Sequence, residues 1–86
     1  MMYYLKEGII YNQIGKENIV KKQQNDVTIF LNETASVIFR AIVDEKNIEE
    51  EILRKYELKK EEFEIVALDV KEVLNNLMDL GVIYEE

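Results

Sequence analysis

The chain contains no histidine and no cysteine. The first absence removes the commonest general base and the commonest transition-metal ligand. The second excludes disulfides, thiolate metal sites and cysteine nucleophiles. No apolar run approaches the roughly 20 residues that span a bilayer, and no signal peptide opens the chain. Serine occurs once, at Ser36, within a predicted helix and with no base to activate it. Gly8, Gly15 and Gly81 are isolated from one another and make no phosphate-cradling loop. The expectation is a small, soluble, cytoplasmic protein that needs no cofactor and is not an enzyme on its own.

What remains is enough to fold. The chain has 86 residues, which leaves material for one hydrophobic core, so 1–86 reads as one domain with 1–7 as a flexible leader. Leu, Ile, Val and Phe supply 30 of those residues, well above the level at which a charged chain stays disordered. The net charge of −7 is unevenly placed. Residues 1–43 carry five bases and four acids, whereas residues 44–86 carry six bases and fourteen acids. An acidic half repels polyanions, which disfavours nucleic acid and anionic membrane as its partners.

The first third has strand character. Gly8 to Ile14 is rich in β-branched and aromatic residues and stops at Gly15-Lys16-Glu17, a hairpin turn. Asn18 to Lys22 is the returning strand, and Gln23 to Asp26 is a polar turn. Val27 to Leu31 is the clearest strand, with Val27, Ile29 and Leu31 on one face and Thr28 and Phe30 on the other. The remainder has the 3.6-residue period of helices. Asn32 caps a helix that turns Ala35, Ile38, Phe39 and Ile42 to one side. Asn47, with Glu50 three positions on, caps a second whose buried stripe is Ile48, Ile52, Leu53 and Tyr56. A third runs from about Glu61 to Leu80 and ends at Gly81, a left-handed C-cap. Its apolar stripe, from Phe63 to Leu80, is roughly 160° wide, more than an ordinary surface helix needs. Either the helix packs on several elements at once, or one edge of the stripe lines a groove.

No catalytic constellation emerges. Glu49-Glu50-Glu51 and Glu61-Glu62 sit in first helical turns, where they match the helix dipole. Asp69 and Glu72 lie on one helix face but lack the further oxygens a cation site requires. The five tyrosines are dispersed, without the interleaved bases of a nucleic-acid platform.

Three strands and three helices in this order predict an α+β, winged helix-turn-helix-like domain built on a three-stranded antiparallel sheet. Many such domains bind DNA. Here the candidate recognition helix carries six acids against one base, Lys71, whereas phosphate contact by cations supplies most of the affinity of DNA-binding proteins. A transcription regulator is therefore the weaker alternative. Peptide capture fits better: Val27 to Leu31 has neither Pro nor Lys to blunt an edge, and an exposed edge accepts an incoming strand. A structural docking subunit of an enzyme complex is the other alternative.

Leu31-Asn32-Glu33-Thr34-Ala35 followed by Ile38-Phe39, and Asp69-Val70 followed by Leu74, Leu77 and Gly81-Val82-Ile83, resemble the PqqD-like family. Tyr11-Asn12-Gln13-Ile14-Gly15-Lys16-Glu17 resembles the family's first turn. The likeness runs from Gly8 to Ile83, and it departs at Lys59-Lys60, where the family often has a capping acid and a proline. It implies a recognition element for ribosomally made precursor peptides, which binds the leader as an added strand beside the third helix. The core peptide is then presented to a modifying enzyme, either a radical-SAM protein or a leader peptidase and cyclase of lasso type. By position, the peptide-binding strand is Asp26, Val27, Thr28, Ile29, Phe30 and Leu31. On the helix, Asp69, Val73 and Asn76 are preferred to the opposite edge of Leu68, Lys71 and Asn75.

Overall fold

Gly15 opens the first reversal of the chain. It stands at φ 61° as the first of two residues between Ile14 and Glu17, the place where a two-residue hairpin demands a positive φ. The strands on either side are β2 (Ile9–Ile14) and β3 (Glu17–Lys22), and a four-residue turn then leads into β4 (Val27–Leu31). Together they form an antiparallel sheet in the order β2-β3-β4. Three helices follow: α1 (Glu33–Val43), α2 (Ile48–Lys55) and α3 (Phe63–Asp79), the last preceded by a 3-10 turn at Lys60–Glu62. This computed structural model describes residues 2–86, and it has the expected α+β class and winged order.

The helix boundaries follow local chemistry. Ala35 N–H donates to Asn32 Oδ1 at 2.9 Å, and Glu50 N–H donates to Asn47 Oδ1 at 2.9 Å, so both asparagines cap as expected. Ahead of α3, Lys59 N–H donates to Glu62 Oε1 at 2.7 Å. The carboxylate of Glu62 thus meets a donor at the helix entry although the Lys59 side chain offers no oxygen. Tyr56 departs from the buried stripe expected of α2. It ends the helix, stays partly exposed, and places its hydroxyl 3.0 Å from Thr34 Oγ1.

All three helices close on a left-handed residue: Glu45 at φ 57°, Glu57 at φ 53° and Gly81 at φ 75°. In each, the N–H of the following residue reaches back five residues, as Val82 N–H does to the Leu77 carbonyl at 2.9 Å. Only the third has glycine. A Cβ at Gly81 would stand 2.9 Å from Lys22 Nζ, which is itself bonded to the Leu80 carbonyl at 2.8 Å. Gly81→Ala is therefore expected to lose about 1–2 kcal/mol from the left-handed backbone, with displacement of Lys22 besides. Glu57→Gly removes the same backbone strain and should raise the melting temperature by a few degrees. Thermal denaturation of the two variants checks both signs.

The opening residues hold a strand where a flexible leader was expected. β1 (Tyr3–Leu5) pairs antiparallel with β5 (Ile83–Glu85), a strand absent from the sequence reading, in the register Tyr3↔Glu85. Met1 of that leader lies outside the described residues. Tyr4 and Tyr84 stack across this ladder with ring centroids 5.5 Å apart. Burial pushes the Tyr3 phenol above its ordinary pKa, and the hydrogen bond and charge of Glu85 act in the same direction. The neutral form is thus favoured in the fold, so this contribution is lost as pH rises through the raised value.

The core lies where the inner face of the three-stranded sheet meets the helices. Val20, Leu31, Ile38, Phe39, Ile52, Val70, Leu74, Leu77, Val82 and Ile83 are buried together. Phe39 meets Tyr11 of β2 edge-on at 5.3 Å. Of the wide α3 stripe only Val70, Leu74 and Leu77 are buried, while Leu80 is exposed. Phe63, Val66, Val73 and Met78 flank them, half-buried against the same core.

Candidate functional site

Strand β4 is one edge of the sheet, because β3 is its only strand neighbour among the described residues. Register tells which of its backbone groups are free. The two-residue turn makes Ile14↔Glu17 the bonded closing pair, and bonding alternates from there along the ladder. Glu17, Ile19 and Lys21 thus bond to β2, whereas Asn18, Val20 and Lys22 bond to β4. The Gln23 N–H, which donates to the Gly8 carbonyl at 3.0 Å, continues the first set. Asn18, Val20 and Lys22 stand opposite Leu31, Ile29 and Val27. The N–H and C=O of Thr28 and Phe30 therefore point off the sheet.

Side chains on β4 obey the expected alternation. On the inner face, burial increases along the strand from Val27, 39% exposed, through half-buried Ile29 to buried Leu31. On the outer face Thr28 is exposed and Phe30 is 76% exposed, opposite Ile19 of β3. Asp26 is not part of the strand. It occupies a left-handed turn position at φ 56°, and its carboxylate lies 3.0 Å from Lys21 Nζ.

Asp69, Val73 and Asn76 are spaced i, i+4, i+7 on α3 and share a face. Val73 packs half-buried against the core, as Ile29 of β4 does, whereas Asp69 and Asn76 are exposed. The carboxylate of Asp69 makes no ion pair among the described residues. The C-terminal end of α3 is tied to the sheet through Lys22, which pairs with Val27 and bonds to the Leu80 carbonyl. Away from that end α3 packs on α1, β5 and the 3-10 turn, while β4 packs on β3 and α1. Ile29 of β4 and Val73 of α3 thus pack onto one core.

A separate cavity lies elsewhere. About 630 Å³ opens between β1, the α1–α2 connection and the opposite edge of α3, with Tyr3, Ile42, Phe63, Ala67 and Lys71 in its walls. No β4 residue lines it, and neither do Asp69, Val73 and Asn76. Ala67 and Lys71 line it from α3, and β1 supplies the facing wall. Sequence reasoning missed this cavity because its β1 wall exists only once the two termini pair. Leu68 and Asn75, the other residues of that alternative edge, stay exposed outside it. No cluster of three or more acidic side chains among the described residues is placed to hold a metal ion. No described helix is long and apolar enough to cross a membrane.

No family model matches the chain. No curated protein matches it either. Among solved structures, it is similar to TbiB1 in complex with the TbiA(beta) leader peptide, with a TM-score of 0.81. That likeness covers 96% of this chain and 99% of the other at 17% identity, and it establishes the shared fold.

Proposed function

We propose that this chain captures the leader segment of a ribosomally synthesised precursor peptide as a fourth strand on β4. The observation that carries this reading is the free backbone of Thr28 and Phe30 on an edge without a proline or lysine. Two residues offer two donors and two acceptors. At about 1 kcal/mol net for each bond, the ladder contributes about 4 kcal/mol. Micromolar affinity needs about 8 kcal/mol, so leader side chains must bury apolar surface as well. Ile29 and Val73 are the half-buried residues with surface left for this, and Asp69 and Asn76 are the polar rim. The fold shared with a protein whose structure holds a leader peptide supports the same reading.

Within this reading the chain is a PqqD-like recognition element that performs no chemistry itself. It works in the cytoplasm and hands the core peptide to a partner enzyme of the radical-SAM or leader peptidase/cyclase type. The test is titration of the ¹⁵N-labelled chain with a leader peptide from the precursor encoded beside its own gene. Amide shifts concentrated on Val27 to Leu31 and on the Asp69–Val73–Asn76 face are expected. Shifts confined to β2 would move the site to the other sheet edge, and shifts confined to the helices would refute strand addition.

A further inference from the structure

The acidic character of the molecule, net −7 overall, is reversed at one concavity. A cavity of about 480 Å³ lies between the β2–β3 turn and the facing sides of α1 and α2. Lys16, Arg40, Arg54 and Lys55 line it, against two carboxylates, Glu33 and Glu51. Lys16 Nζ and Lys55 Nζ approach the same oxygen, Glu33 Oε1, at 3.9 and 3.7 Å. One carboxylate cannot neutralise two ammonium groups, so positive charge is left over. Glu51 is already engaged, by Arg54 and, at 3.9 Å, by Lys46. Arg40 leans 5.4 Å over the Tyr11 ring and lies 3.7 Å from Asp44.

A second feature of the same cavity points to a ligand. Asn18 of β3 lines it, is only 2% exposed, and its Oδ1 has no hydrogen-bond partner among the described residues. Buried carboxamide oxygens are almost always bonded, and one left without a donor disfavours the fold unless something supplies it. A valine or threonine would suit a strand position better. The polar side chain is therefore explained if a ligand completes it.

We propose that this cavity binds a carboxylate-bearing segment of an acidic peptide. One carboxylate would sit between Lys16 and Lys55, and a main-chain amide would engage the Asn18 carboxamide. A peptide carries both groups, the acceptor for the ammonium pair and the N–H donor for Oδ1. The site is distinct from β4, no residue of which lines it, so it stands or falls independently of leader capture there.

The experiment is a titration of the ¹⁵N-labelled full chain with an acetylated, amidated Glu-Gly-Glu-Gly-Glu peptide at low salt, beside inorganic phosphate at matched ionic strength. The expected result is a saturable shift of the Asn18 side-chain amide and of the Lys16 and Lys55 backbone amides, weakened by added salt. Lys16→Glu combined with Lys55→Glu should weaken binding at least about tenfold. Both side chains are exposed, and circular dichroism verifies that the variant keeps its fold. The proposal is overturned if the Asn18 side-chain amide stays still, if phosphate gives equal shifts, or if the double variant binds as before.

Discussion

Phe39→Ala is expected to lower the melting temperature by on the order of 20 °C, the largest stability loss from any single truncation of this core. Phe39 has no solvent exposure, and its ring meets Tyr11 at 5.3 Å with an interplanar angle of 78°. Truncation removes the transfer free energy of the ring, opens a cavity and dissolves the aromatic pair, for about 3–5 kcal/mol together. A domain of this size has about 4–13 kcal/mol of stability in total, so this one change removes a large share. Phe30→Ala is the control. That ring is 76% exposed, and its loss should alter stability by less than about 0.5 kcal/mol. Denaturant titration of the two variants separates them. A Phe39→Ala variant that melts within a few degrees of the parent would show that α1 is not packed against β2 through this ring.

Thr28→Pro is expected to weaken leader binding by about tenfold to a hundredfold while the domain stays folded. Register is the reason both halves of that statement hold. The Thr28 N–H points off the free edge, so proline deletes a donor that the proposed added strand would use and leaves the β3–β4 ladder intact. The leader carbonyl that faced it is left without a partner, at about 1–3 kcal/mol. Ile29→Pro makes the contrast, since Ile29 stands among the β4 residues bonded to β3 and its loss should unfold the sheet edge. Fluorescence titration of the leader, after circular dichroism has verified the fold, measures the first effect. Parent-like affinity in a folded Thr28→Pro variant would exclude β4 as the template. Val73→Glu also probes the helix wall, but Val73 packs on the core, so its binding loss must be read against a measured loss of stability.

The sequence by itself determined what depends on neighbouring residues. Asn32 and Asn47 stand just ahead of apolar periodic segments, and each caps the helix that follows. Alternation in Val27 to Leu31 put the residues facing the core and those facing solvent on the correct sides. Gly15 and Gly81 marked a turn and a helix end because both need a positive φ. These signals act within a few residues, where propensity and backbone sterics operate.

Tertiary structure decided whatever depends on elements meeting. The β1–β5 ladder joins two three-residue segments at opposite ends of the chain, too short to carry a period of their own, and burial against the core is what pairs them. By its residues Gln23 to Asp26 read as a turn, while the resemblance carried the peptide-binding strand back to Asp26; the fold keeps Asp26 in the turn, at a left-handed position before Val27. Which backbone groups on β4 are free follows from turn length and ladder parity across three strands, not from the five residues of β4 alone. The convergence of Lys16 and Lys55 on Glu33 likewise brings together a hairpin turn and two helices. Short-range sterics and capping act along the chain, while edges, clefts and excess charge arise only where packing brings distant segments side by side.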